Sequence, residues 1–185
     1  MIIRKTGYPF KFVQKRKSRD SEGHLSTHIF TFYSSSNGLK YVINLEEYKE
    51  ELFAIKFYPK CLRKSDYKYN TIINKGDVIN VLMTCASVIP YILRMNINAS
   101  FGFVGSRTID AAKNKFIEDF SVNKRYRIYS NLIKQVIGDQ TFVHIEYERI
   151  SGYLLINKRF NSITTKEKKI KLMLNEIYIF VEQLQ

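Results

Sequence analysis

A chain of 185 residues with 45% apolar residues, eight Gly and three Pro fits one compact domain with a full core and excludes collagen-like or linker-dominated architectures. Its 30 Lys and Arg against 17 Asp and Glu give a formal charge of +13, which folding does not require and which favours anionic partners: nucleic acid, an anionic membrane or an acidic protein surface. Two cysteines, Cys61 and Cys85, are too few for a disulfide framework and lack metal-site spacing. A compositional origin of the charge stands beside the functional one, because abundant Lys, Ile, Asn and Tyr also follow from AT-rich coding.

Residues 1–27 read as a basic N-terminal arm, with Lys11, Lys15, Arg16, Lys17 and Arg19 among Tyr8, Phe10, Phe12 and Val13. The arm has no apolar run of signal-peptide length, so a cytoplasmic location is expected. Within it, residues 10–12 can start a strand and residues 18–26 a loop. The domain proper is expected over 28–185. Residues 29–33 alternate as a strand, and Asn37-Gly38 is a hairpin signal. Residues 41–45 and 52–58 predict two more strands joined by a short polar turn. After a basic connection over 60–75, Asp77 is placed to cap a helix bearing Val78, Leu82, Cys85, Ile89 and Leu93. Pro90 should kink that helix or lie near a break in it. Asn80, Thr84, Ser87 and Pro90 interrupt the apolar run, which predicts a buried helix and no membrane span, with Cys85 a buried thiol.

Residues 99–104 predict a short apolar strand. The spacing of Ala112, Phe116 and Phe120 predicts a helix over 108–120, and a further helix is expected over 125–137, closed by Gly138. Residues 142–147 and 153–156 form a strand pair around Ser151-Gly152. Thr164 and Glu167 have capping-box spacing, followed by an apolar stripe of Ile170, Met173, Leu174, Ile177, Val181 and Leu184. This order predicts a single α+β domain, an antiparallel sheet packed against several helices.

Few residues suggest chemistry. His24 and His28 are four apart but lie at a loop-to-strand transition, where that spacing separates them too widely for easy chelation, and no further ligand follows. No metal or cofactor is expected. His144, Glu146 and Glu148 alternate onto one strand face, where a base with carboxylate neighbours could perform acid–base work, assisted by Lys158 or Arg159; a solvated strand face is the alternative. No catalytic triad context and no phosphate-binding glycine loop is present. Phe101-Gly102-Phe103-Val104 resembles the centre of the first ribonucleoprotein motif, but Ala99, Ser100 and Ser106 stand at its other signature positions and it follows a helix rather than a strand, so a buried central strand is the stronger reading.

The basic residues fall into four clusters: Lys15-Arg16-Lys17-Arg19; Lys60, Arg63, Lys64 and Lys68 beside Tyr67 and Tyr69; Lys124-Arg125 with Arg127; and Lys166-Lys168-Lys169-Lys171. Each alone is an ordinary solvated face, but two that converge make a phosphate-binding surface. The candidate binding residues are Lys15, Arg16, Lys17, Arg19, Arg63, Lys64, Tyr67, Arg125 and Arg127.

Three segments, Ala99-Ser100-Phe101-Gly102-Phe103-Val104-Gly105, Arg125-Tyr126-Arg127-Ile128-Tyr129-Ser130 and Gly152-Tyr153-Leu154-Leu155-Ile156-Asn157, together with Lys68-Tyr69-Asn70, resemble a domain-of-unknown-function family of small bacterial proteins. The resemblance spans residues 41–185 and departs at 104–124, which is longer here than the family pattern. It implies no activity and no catalytic residue. By type, such proteins resemble the small proteins of bacterium–phage conflict, including anti-CRISPR inhibitors of RNA-guided nucleases, toxins and antitoxins. The expected function is a non-enzymatic binding or inhibitory protein whose basic, Tyr-rich surface engages RNA or an RNA-handling nuclease or ribonucleoprotein, with a protein partner and no membrane. The alternatives are a small ribonuclease-type toxin using His144 and Glu146, and a structural partner with no nucleic-acid role.

Overall fold

Short polar turns join the first four strands, so they pair in sequence as an antiparallel meander: β1 (Phe10–Lys17), β2 (Ser26–Ser34), β3 (Leu39–Glu47) and β4 (Leu52–Pro59). The computed structural model describes residues 7–19, 22–71, 76–110 and 112–178. A crossover of two helices, α1 (Val78–Ala86) and α2 (Val88–Met95), then returns the chain to β5 (Ser100–Val104), which pairs parallel to β4. A two-stranded ribbon follows, β6 (Ile109–Asp110) with β7 (Lys115–Phe116), then α3 (Lys124–Val136), β8 (Phe142–Tyr147), β9 (Gly152–Asn157) and α4 (Ile163–Ile177). The sheet order is β1-β2-β3-β4-β5-β9-β8, with only the β4–β5 pair parallel. All six residues of β9 are buried, as expected of a strand covered on both faces.

Strand alternation divides the core in two. On one face Phe30, Ile43, Phe53, Phe101 and Leu155 meet Val81, Cys85, Val88, Ile89 and Ile92 of α1–α2 and Tyr126 and Ile133 of α3. On the other, Leu52, Leu154 and Ile156 meet Ile170 and Met173 of α4. The chain is thus one α+β domain, a mostly antiparallel sheet with helices on both faces. Burial pushes the Cys85 thiol pKa well up, so it stays protonated in the core.

Three local expectations are corrected, for residues 10–17, residues 108–120 and the cap of α4. The basic segment 10–17 is no arm outside the domain but the edge strand of the sheet. Phe10 and Phe12 pack edge-on against Phe30, at 5.6 and 5.4 Å, and so hold it there, with a register shift between Phe12 and Gln14. Residues 108–120 form no helix. Asp110 Oδ1 accepts from the backbone N–H groups of Ala112 and Lys113, and Asn114 takes a left-handed φ of 48°, so turn chemistry wins over four-residue spacing. The 78–95 helix, whose mean hydropathy of 1.6 over 18 residues would suffice for a membrane span by length and composition, is broken at Ser87 and packs its apolar face into the core. This agrees with the expected buried helix and with Pro90 lying near a break: it sits in the first turn of α2, where a missing N–H costs little. The cap of α4 is Ser162, whose hydroxyl accepts from the Thr165 N–H at 3.2 Å, while Glu167 accepts from the Tyr147 hydroxyl. Val181 and Leu184 lie outside the described residues.

The β3–β4 hairpin turns through Glu50 and Glu51, with φ of 59° and 49°. Both carboxylates reach the buried Lys166 ammonium of α4, at 3.2 and 2.6 Å. The same ammonium lies 4.0 Å from the centre of the Phe160 ring. This contact ties α4 to the sheet.

Candidate nucleic-acid interface

Two basic clusters that are far apart in sequence meet at one end of the sheet, in a cleft of about 290 Å³ between the β3–β4 end and the first turns of α1 and α3. The register pairs Tyr41 with Pro59, which brings the start of β3 beside the end of β4. After Pro59 the chain makes one 3-10 turn and loops back, setting Tyr69 edge-on against Tyr58 at 5.4 Å. The Lys68 ammonium stands 5.0 Å from the Tyr58 ring centre and 5.3 Å from that of Tyr69. Aromatic faces attract the ammonium and keep it near the cleft.

The other wall is the start of α3, and its position is closely determined. Asn123 caps the helix by accepting from the Tyr126 N–H at 2.9 Å. Its amide donates to the Gly105 carbonyl, and its own N–H donates to the Ser151 hydroxyl at 3.0 Å. A Cβ on Gly105 would approach the Asn123 Oδ1 to 2.6 Å, so only glycine lets the two segments pack this closely. Glu118 accepts from the N–H groups of Thr108 (2.6 Å) and Lys124 (2.8 Å). Burial favours its neutral form, but these bonds and the nearby Arg125 charge outweigh that and hold its pKa below the usual value. Arg125 is oriented by a bond to the Ser106 carbonyl at 2.8 Å, and Lys124 beside it is exposed.

Lys68, Lys124 and Arg125 all line the cleft, with Tyr41, Tyr69 and Tyr129. Burial pushes the Tyr69 phenol up to about 12 and also raises Tyr41 and Tyr129. All three therefore stay protonated near neutral pH and can donate hydrogen bonds. The one carboxylate among the described lining residues is Asp77, at the cap position of α1. Its side chain does not cap the helix, as the sequence had suggested. It accepts instead from the hydroxyls of Tyr8 (2.8 Å) and Ser34 and the Asn80 amide (2.8 Å). Three cations around a tyrosine-lined cleft suit a phosphate-bearing ligand, with the phenols as hydrogen-bond donors.

The other candidate binding residues lie elsewhere. Lys17 pairs with Ser26 and Ser26 with Glu47, so the first basic cluster sits at the opposite end of the strands, six residues and roughly 20 Å along β3 from Tyr41. There Lys15 pairs with Glu47 at 2.8 Å and Arg16 with Glu22 at 3.2 Å, while Lys17 and Arg19 are exposed. Arg63 and Lys64 are exposed beside the 3-10 turn, and neither lines the cleft. The Tyr67 hydroxyl donates to Asn114 at 2.8 Å, joining this loop to the β6–β7 turn. Arg127, two residues after Arg125, projects from another side of α3 and is exposed. Lys68, Tyr69 and Lys124 stand in the basic clusters of the sequence, but nothing local separates them from their neighbours. Only the loop path does.

The His144 group is held in structural contacts. His144 Nδ1 meets the Tyr153 hydroxyl at 2.8 Å, and burial pushes that phenol up to about 12. Glu146 pairs with Lys134 at 2.6 Å and accepts from the Tyr126 hydroxyl at 3.0 Å; the Lys134 bond holds its pKa below the usual value. Glu148 has left the strand for the 3-10 turn that follows β8, so it does not share a strand face with them. His24 and His28 meet different partners, Thr27 at 2.8 Å and Glu47 at 3.2 Å. Among the described residues no three His, Cys, Asp or Glu side chains are grouped to hold a metal ion. Phe101 of the ribonucleoprotein-like segment is buried under the helices, and Phe103 stacks on Tyr153 at 5.3 Å.

Comparison of the chain with models of known protein families, with curated proteins and with solved structures found no match.

Proposed function

We propose that this chain is a non-enzymatic binding protein that engages RNA through the cleft formed by Lys68, Lys124 and Arg125. The observation that carries this reading is the meeting of two sequence-distant basic clusters over tyrosine walls. Cations supply affinity for phosphates without regard to sequence, and the phenol hydroxyls can add hydrogen bonds. A cytoplasmic setting and an anti-defence, inhibitory or antitoxin role belong to the same reading, since a protein holding RNA this way can compete with an RNA-handling nuclease for its substrate.

The test is fluorescence anisotropy with a labelled single-stranded RNA of about 12 nucleotides, a length suited to one such surface. Measured across a salt series, affinity should fall steeply with salt. Replacing Lys68, Lys124 and Arg125 together by Gln should lower the log–log salt slope by about 2, at roughly 0.7 per lost phosphate contact. Replacing Lys17 and Arg19 by Glu should change affinity by less than about twofold, because these residues lie outside the cleft. An affinity indifferent to the cleft variant would overturn the proposal. So would capture of a specific nuclease that withstands both high salt and nuclease treatment, which would make a protein the primary partner.

A further inference from the structure

Residues 104–125 carry five cations against three carboxylates and lead from the end of β5 to the start of α3. They pack directly on two walls of the basic cleft. Asn70, next to Tyr69 of the cleft, donates from its side-chain amide to the Arg107 carbonyl at 2.9 Å, and its own carbonyl accepts from the Ile109 N–H at 3.3 Å. From the other wall Arg125 donates to the Ser106 carbonyl at 2.8 Å and the Thr108 hydroxyl at 3.4 Å. Arg107 is therefore seated at the cleft margin by the same two elements that bring Lys68 and Arg125 together.

The Arg107 guanidinium lies 4.0 Å from the Phe116 ring centre and 5.2 Å from that of Phe120, uniting the two rings in one surface. The four-residue spacing of these aromatics predicted the buried stripe of a helix, yet each is 37% exposed. Their backbone is held in place. The Ile117 N–H donates to the Thr108 carbonyl at 3.1 Å, the Phe120 carbonyl accepts from the Ser151 hydroxyl at 2.7 Å, and the Val122 N–H donates to the Glu148 carbonyl at 3.1 Å. The carboxylates of the segment do not neutralise Arg107. Asp110 accepts from the N–H groups of Ala112 and Lys113, Glu118 accepts from those of Thr108 and Lys124, and Asp119 is exposed. Phe120 also stands at the margin of a second, apolar cleft of about 340 Å³ on the opposite face of the sheet, where α4 leaves parts of β4, β5 and β9 uncovered; neither Arg107 nor Phe116 lines it.

Resting on the RNA reading of the basic cleft, we infer that Arg107, Phe116 and Phe120 form a stacking platform for a base of the same strand, and that the ligand is single-stranded RNA. A guanidinium packed on phenyl rings offers flat, cationic surface, and nucleobases stack on both kinds of plane. Position favours a nucleic acid, because the platform adjoins a cleft that holds phosphates and a strand leaving that cleft passes over it. A base reaches such a surface only when it is unpaired, since in a duplex both of its faces are already stacked. Pre-ordered rings cost little entropy to engage, so the platform adds affinity beyond what the cations supply.

The test compares a labelled single-stranded RNA with an abasic strand of the same length, which keeps the phosphates and lacks the bases. Phe116→Leu with Phe120→Leu preserves apolar side chains at two exposed positions and removes the aromatic faces. It should weaken binding of the intact strand about fivefold or more, with the salt slope unchanged because no cation is lost. Arg107→Lys keeps the charge and loses the plane, and should weaken the intact strand about threefold or more. Neither variant should change affinity for the abasic strand by more than about twofold. Unchanged affinity for the intact strand in both variants, or an equal loss on the abasic strand, overturns the platform; the cleft reading then still stands if the Lys68, Lys124 and Arg125 variant lowers the salt slope. No RNA binding by the wild-type protein, or a slope indifferent to that cleft variant, overturns the cleft reading and the platform with it.

Discussion

The two clefts are similar in size, about 290 and 340 Å³, and occupy opposite faces of one sheet, yet they differ in almost every chemical respect. The basic cleft is built from loop and helix starts, so its cations and phenols come from segments free to be polar. The apolar cleft is floored by strand backbone and aliphatic side chains, and only its rim is charged. The contrast follows from how each is covered. Three helices close the first face and leave a gap only where their ends meet, whereas α4 alone covers the second and leaves strand surface beside it. Helix ends offer unpaired N–H groups and tolerate charge, while the middle of a sheet offers neither.

The largest expected effect that sharpens this comparison is at the tie between α4 and the β3–β4 hairpin. Glu50→Gln with Glu51→Gln leaves the buried Lys166 ammonium without a counter-charge and should cost about 2–3 kcal/mol, at or below the usual range for a broken buried pair because both glutamates are partly exposed and screened. Urea unfolding measures the loss. RNA binding, measured well below the unfolding midpoint, should stay the same, because the tie lies on the opposite face of the sheet from the basic cleft. A parallel loss of RNA affinity would mean that the two faces are not independent.

A smaller effect should come from the β1–β3 end, which serves neither cleft. Burial lowers the pKa of His28 below its ordinary 6.5, its bond to Glu47 opposing this in part. Glu47 is disfavoured as a charge by burial, yet the bonds from Lys15, Ser26 and His28 outweigh that and bring it to about 2. For both groups the unfolded chain binds protons more readily than the folded one, so stability rises with pH across each window. Stability should therefore fall as pH drops below about 6.5 through His28, and again between the ordinary glutamate value near 4.5 and about 2 through Glu47. Thermal unfolding across this range checks it, and His28→Gln should remove the upper step alone. RNA affinity between pH 6 and 8, after correction for fraction folded, should not follow this step.

The smallest effect is expected at His144. His144→Ala removes one bond at a part-exposed position and should cost about 1 kcal/mol, with RNA affinity unchanged. Incubation of the wild-type protein with labelled RNA should leave the RNA intact. Cleavage that disappears in His144→Ala would replace the binding reading with the ribonuclease one.

Much of the fold was legible in the sequence. Alternation marked β2 and β4, an apolar stretch marked β3, and helical spacing marked α1, α3 and α4. The failures have local causes. The 108–120 segment carries helical spacing by coincidence, and Asp110 and Asn114 redirect it through short-range hydrogen bonding and a left-handed backbone. β1 reads as a basic arm because its Lys and Arg point outward, and only the contacts of Phe10 and Phe12 with Phe30 make it a strand. Of the candidate site, Arg125 was singled out from the sequence, and Lys68, Tyr69 and Lys124 were seen only as cluster members.

By itself the sequence determined the α+β class, the strand and helix periodicities and a charge that favours anionic partners. These depend on residues a few positions apart and on simple sums. Only the tertiary structure decided which charges meet. Lys68 and Arg125 are 57 positions apart, and their convergence rests on the path after Pro59 and on the Gly105–Asn123–Ser151 contacts that seat α3. Lys15 and Arg16 were the most conspicuous cations in the chain, yet folding set Glu47 and Glu22 beside them. The apolar groove left no mark in the sequence, because a strand residue facing an open cleft has the same chemistry as one facing a covered core.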